Sequence, residues 1–314
     1  MNCNFKYRKY IFLSILISVF MVSTSTELFA QQDSQYTQYM YNTSSFNPAY
    51  AGNRGVFSAI GLYRSQWVGL DGAPKTMNFT AHSPLGERVG LGISFTNDQI
   101  GPSVENTIAA DFSYSIPVND NVKLSFGIKG GVNLLDVDFN KLLIYDPTDP
   151  QFQNNIDNRL TPLIGAGIYF SSEKWYAGVS VPNFLQTEHY KISSISSAKE
   201  KMNFYVIGGY VFNISEETKF KPAVLFKSIS GAPIALDVSA NFLFFDKLTL
   251  GAAYRLDADV SGLAGFQVTD NIMIGYAYDY GIQDLANYNS GSHEIFLRFE
   301  LGQSPIRLLT PRFF

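Results

Sequence analysis

Residues 269–301 read TDNIMIGYAYDYGIQDLANYNSGSHEIFLRFEL, and their pattern decides the fold. In the first half Ile272, Ile274, Tyr276, Tyr278 and Tyr280 fall on one face, and Met273, Gly275, Ala277 and Asp279 on the other. In the second half Ile295, Leu297, Phe299 and Leu301 alternate with Glu294, Phe296, Arg298 and Glu300. A period of two means β-strand. A soluble sandwich would show one bulky face and one small or charged face. So would a membrane barrel with lipid outside and a polar lumen. The rest of the chain has to separate them.

The leader narrows the choice. Lys6, Arg8 and Lys9 precede an apolar run at 11–22 that is too short to anchor a helix. A polar stretch at 23–26 then leads to Ala30, so residues 1–30 read as a cleaved secretory signal peptide. Cys3 is the one cysteine and leaves with the leader, so the mature chain has no disulfide, thiolate metal site or thiol nucleophile. No later stretch approaches eighteen apolar residues, which excludes a transmembrane helix. Only 16% of residues are charged and the pI is about 5.4, with no basic patch, so nucleic acid is not an expected partner. An exported chain of alternating strands is either secreted or an outer-membrane barrel.

Fourteen strands are expected, at 56–64, 76–82, 87–97, 104–116, 121–134, 161–171, 174–181, 202–212, 219–229, 233–244, 247–257, 260–268, 271–280 and 292–301. In the fifth, Val122, Leu124, Phe126 and Ile128 oppose Lys123, Ser125, Gly127 and Lys129. Small residues recur on the expected inner face, as at Gly165 and Gly167 or Gly251 and Ala253. They leave room for water, loops or a plug. The connections separate the two architectures. After even strands they are short (83–86, 117–120, 172–173, 213–218, 245–246, 269–270); after several odd strands they are long (65–75, 136–160, 182–201, 281–291). Sorting by parity is the asymmetry of bacterial outer-membrane barrels, whose short turns face the periplasm. The expected fold is therefore an all-β, transmembrane, antiparallel up-and-down β-barrel of about 14 strands over 56–301. A periplasmic lead-in at 31–55 precedes it and a tail at 302–314 follows. An even strand number puts both mature termini in the periplasm and the chain in the outer membrane, against its lipid.

Chemistry is sparse. His82, His189 and His293 are scattered, and no H-E-x-x-H, P-loop or G-x-S-x-G motif occurs. The acidic residues of 136–160 lack calcium-loop spacing and read as a solvated loop. Trp67, in a loop with Gly69, Gly72 and Pro74, is either a membrane-interface residue or a partner contact. No catalytic residue, metal or cofactor is expected.

An ordered series of short motifs then runs along the chain. It includes Gln38-Tyr39-Met40-Tyr41-Asn42, Asn47-Pro48-Ala49-Tyr50-Ala51-Gly52, Gln66-Trp67 and Gly72-Ala73-Pro74. Further on come Ser180-Val181-Pro182-Asn183, Gly231-Ala232-Pro233 with Asp237, Tyr254-Arg255, Gly275-Tyr276-Ala277-Tyr278-Asp279 and Gly291-Ser292-His293-Glu294. In this series the chain resembles the PorP/SprF family of type IX secretion system outer-membrane proteins of the Bacteroidetes. The resemblance implies a barrel that works with the type IX translocon and its periplasmic machinery. It also implies support for the secretion and cell-surface anchoring of a large gliding adhesin, through that client's C-terminal domain. Candidate partner-binding or structural positions are Asn47, Pro48, Tyr50, Gly52, Trp67, Gly72, Pro74, Arg255, Asp279, His293 and Glu294. The alternative reading is a passive outer-membrane channel or small-molecule transporter; a barrel enzyme is the weakest reading.

Overall fold

Alternation along each segment lets one face meet lipid and the other an interior, and closing the sheet satisfies every strand edge. The computed structural model describes residues 35–142, 154–185, 202–229 and 232–302. Among the described residues, fourteen antiparallel strands close into one barrel. In chain order they are Phe57–Ser65, Lys75–Leu85, Val89–Ile100, Ser103–Asn119, Val122–Val137, Ile156–Ser172 and Trp175–Val181. Asn203–Tyr210 follows and resumes after Val211 as Phe212–Asn213, and then come Thr218–Ile229, Ala235–Phe244, Leu248–Arg255, Asp259–Thr269, Ile272–Gly281 and Ser292–Leu301. Each pairs with its chain neighbours. The first strand meets the last, from Phe57 opposite Leu301 to Ser65 opposite His293. None of the described helices is long and apolar enough to cross a membrane.

Each expected strand is present, and the main difference is length. The fourth, fifth and sixth run to sixteen or seventeen residues, whereas Trp175–Val181 has seven. Leu135, Val137 and Phe139 bury against one another and against Ile156, which holds the tall hairpin together above the wall. The surrounding Asp136, Asp138 and Asp157 make that stretch read as loop in the sequence. Every connection after an even strand is short: 86–88, 120–121, 173–174, 214–217, 245–247 and 270–271.

The outer face carries Ile128, Leu160, Ile274, Tyr276, Ile295 and Leu297, all exposed. The inner face carries Arg64, Lys129, Asp237, Asn241, Asp279, Glu294 and Arg298, all buried. They are buried because the lumen is filled by the chain's own residues 35–55. Tyr36, Tyr39, Met40, Tyr41, Phe46 and Tyr50 form one buried cluster there with wall residues such as Tyr169, Tyr205, Met273 and Phe296.

This corrects the expected lead-in ahead of the barrel. The segment starts beside Asp279 and Glu294, each two residues from the long-loop ends of their strands at Gly281 and Ser292. It ends beside Ser83, Pro84 and Gly90 at the short-turn rim. Residue 35 therefore lies toward the long-loop mouth, and the segment descends inside the barrel to the short-turn rim. The physical reason is complementarity: its Thr37, Gln38, Asn42, Thr43, Ser44 and Asn47 are buried where inward polar groups and small residues of the wall receive them.

Candidate functional site

The filled lumen is the most elaborate polar structure in the molecule, and it begins with a clamp at the long-loop end. Arg64 reaches inward from the first strand, on the face it shares with Leu62 and Ile60. Its Nη1 lies 2.6 Å from Asp279 Oδ2 and 3.1 Å from Glu294 Oε2, all three side chains buried. The same Nη1 donates to Thr37 Oγ1 at 2.9 Å, and Thr37 Oγ1 donates to Asp279. Glu294 accepts from two consecutive backbone amides, Thr37 N at 2.9 Å and Gln38 N at 2.8 Å. The cation of the wall neutralises carboxylates that in turn grip the plug's backbone. A second inward cluster lies on the neighbouring wall, where Arg255 Nε meets Asp237 at 2.6 Å and Nη1 meets Asp259 at 3.2 Å.

Halfway down, Asn42 bonds twice to one strand, Lys75–Leu85. Its Nδ2 donates to Asn78 Oδ1 at 2.6 Å and its Oδ1 accepts from Thr80 Oγ1 at 3.0 Å. Tyr41 packs on Phe296 with ring centroids 4.6 Å apart, Lys221 Nζ lies over the Tyr41 ring, and Phe46 stacks on Tyr205 at 5.3 Å.

The Asn47-Pro48-Ala49-Tyr50-Ala51-Gly52 motif forms the lower plug. Asn47 Oδ1 accepts from Ala49 N at 3.0 Å and caps the short 3-10 turn Pro48–Tyr50, with proline at its first position. Asn47 Nδ2 donates to Ile168 O on the wall. The wall answers with missing side chains: a Cβ at Gly127 would overlap the Ala49 nitrogen, and one at Gly167 would overlap Asn47 Oδ1. Tyr50 meets His82 and Tyr169 edge-on, both at 5.4 Å. Gly52, at φ +74°, donates its N–H to His82 Nδ1. Arg54 closes the plug on Glu300 at 2.6 Å.

The other singled-out residues lie at the long-loop rim. Trp67 is 37% exposed, and its backbone N–H donates to Ser292 Oγ. Val68 N donates to Gly291 O and Ser290 N to Val68 O, which ties loop 66–74 to loop 282–291. Gly72 O accepts from Gly101 N, and Pro74 O from Gln66 N. His293 faces outward, where its Nδ1 lies 2.6 Å from Tyr276 Oη. The motif residues thus divide into plug (Asn47, Pro48, Tyr50, Gly52), clamps (Arg255, Asp279, Glu294) and rim (Trp67, Gly72, Pro74, His293). Arg64, Thr37 and Gln38 were not singled out from the sequence; Arg64 shares its strand face with the aliphatic Ile60 and Leu62. His189, Gly231 and the tail after Gly302 lie outside the described residues. Among the described residues, no group of three potential metal ligands occurs.

A closed antiparallel barrel of fourteen strands with an apolar exterior defines an outer-membrane β-barrel protein. The model of the type IX secretion system membrane protein PorP/SprF family matches residues 28–299, and the chain belongs to that family. Membership makes it an outer-membrane barrel of the type IX secretion system, associated with that machinery. Among solved structures it is similar to the outer membrane protein Omp33 of Acinetobacter baumannii (8% identity, 78% of this chain and 98% of that one, TM-score 0.48). It is also similar to the CymD monoaromatic hydrocarbon channel (10%, 86% and 94%, TM-score 0.49) and the Ralstonia pickettii toluene transporter TbuX (11%, 83% and 92%, TM-score 0.47). No curated protein matches the chain.

Proposed function

We propose that this barrel is a non-enzymatic scaffold that supports secretion and surface anchoring of a large adhesin by binding the adhesin's C-terminal domain. The observation that carries the reading is the filled lumen. An interior occupied by Asn42, Asn47, Tyr41 and Tyr50, each pinned to the wall, supports a docking body over the alternative of a passive channel. Family membership supplies the secretion context. The rim formed by Trp67, Gly72, Pro74 and loop 282–291 is the face offered to the client, because backbone hydrogen bonds already hold these loops in shape and a pre-ordered surface loses less freedom on binding. The signal peptide at 1–30 delivers the chain to the envelope in this reading.

The test is affinity purification of the barrel from secreting cells. A large type IX substrate retained with the wild-type barrel, and lost when rim residues Trp67 and Val68 are both replaced by serine, is the expected result. Recovery of the barrel with machinery and no such substrate would sink the reading.

A further inference from the structure

The six short turns are not alike. Four hold only polar residues and glycine: Gly86-Glu87-Arg88, Asp120-Asn121, Glu173-Lys174 and Asp270-Asn271. The other two, 214–217 and 245–247, each present a large exposed hydrocarbon side chain, Ile214 at 63% exposure and Phe245 at 65%. These two turns are neighbours, for Phe245 N donates to Glu217 O at 2.8 Å, and Lys219 pairs with Asp246 at 2.6 Å between them.

Phe245 is also conformationally disfavoured. It stands at φ +55° and Asp246 at φ +54°. Such a tight hairpin ordinarily takes Asn-Gly or Asp-Gly. A bulky residue in the left-handed region costs roughly 1–2 kcal/mol, and neither folding nor solubility is served by placing phenylalanine there.

Above the tips the outer wall carries an aromatic row. Tyr210, Phe212, Phe220, Phe242 and Phe244 follow one another with centroids 4.5 to 6.2 Å apart. Register puts Phe212 opposite Phe220 and Phe220 opposite Phe242. Ile214 and Phe245 project from the lower end of this row, among the exposed Glu216, Glu217, Asp246 and Lys247.

We propose that Ile214 and Phe245 form a docking knob for a periplasmic protein whose surface has an apolar pocket edged by basic side chains. Protein is favoured over lipid because the same two turns expose Glu216 and Glu217, whose charges are costly to seat in hydrocarbon. Ile214 and Phe245 also lack the polar atom with which the Trp and Tyr enriched at membrane interfaces meet headgroups. The basic edge follows from charge: Asp246 is paired with Lys219, and the exposed Glu216 and Glu217 outnumber Lys247. An apolar cluster rimmed by polar residues is the usual form of an interaction patch. The knob faces the periplasm, away from the rim assigned to the client.

The test combines crosslinking with a variant that relieves strain. A photo-crosslinking residue is placed at 245 or 214 in the full-length barrel in living cells, with positions 120 and 270 as controls. In parallel, Phe245→Asn with Ile214→Ser removes both tips while giving the turn a residue suited to its backbone. Expected are a discrete barrel–protein crosslink from 245 and 214 but not from the controls, and roughly thirtyfold weaker retention of that partner by the double variant. Barrel yield should be unchanged and client retention at the rim intact. Crosslinks from 245 to lipid, to a second copy of the barrel, or equally from 120 and 270 would overturn the proposal. So would undiminished partner retention by the double variant. Client retention reports separately on the rim reading, so the two can fail independently.

Discussion

Arg64 and Asp279 meet at 2.6 Å inside the barrel, on strands that flank the last strand, and Glu294 completes the triangle from that strand. The three hold Thr37 and Gln38, so the wall's closing seam and the plug's upper end are one hydrogen-bonded unit.

Arg64→Met should therefore loosen both at once. It leaves Asp279 and Glu294 buried without their cation, and removing one partner of a buried pair costs about 3–5 kcal/mol. The unfolding midpoint, read as the heat-dependent mobility shift of the detergent-extracted barrel, should drop clearly. Adding Asp279→Asn and Glu294→Gln should recover much of the loss. An unchanged midpoint for Arg64→Met would show that the triangle does not hold the seam.

Gly127→Val should expel the lower plug, since even one Cβ there overlaps the Ala49 nitrogen. Gly130→Val, three residues on and with open space around it, should be silent. Limited proteolysis should cut within 35–55 much faster in the first variant than in the second. Equal protection in both would contradict the fit of Pro48–Tyr50 against the wall.

A plug held this way predicts a closed pore. Purified wild-type barrel should give little swelling of sugar-loaded liposomes, and a variant lacking 35–53 should give strong, size-dependent swelling. Robust swelling by the wild type would favour the channel reading over the scaffold.

The rim should respond to Gly291→Val. Gly291 stands at φ +83°, and a Cβ there would press on Asp279 O and Tyr278 Oη. The backbone bonds between Val68 and Ser290–Gly291 should break, exposing loop 66–74 to protease and lowering client retention roughly tenfold. The heat-shift midpoint should fall less than with Arg64→Met, because the clash at Asp279 O lies near the strand end and leaves the buried triangle its charges. Protease resistance of 66–74 equal to wild type would show that the two loops do not depend on each other.

What the sequence disclosed and what it hid follow from the range of the interactions. The strand Ser292–Leu301 was legible residue by residue, because its period is local and its turns sort by length. The glycines at 127 and 167 were legible as unexplained room. Their occupant was not, since residues 35–55 have no strand period and their partners are distant: Gln38 binds Glu294 and Asn47 binds Ile168. A polar segment that folds only against a finished wall reads as a linker. Arg64 was hidden for the same reason. It shares a face with Ile60 and Leu62, and nothing local showed that this face turns inward or that two carboxylates more than 200 positions away converge on it. Strand length at Ile156–Ser172 was misjudged because charged residues there border a small buried cluster.

Deleting the gene and quantifying large type IX substrates on intact cells by surface labelling bears most directly on the scaffold function. A fall of about tenfold or more in at least one giant adhesin, restored by the wild-type barrel and not by the Trp67→Ser, Val68→Ser variant, is predicted. Normal surface levels of every large substrate in the deletion strain would contradict it.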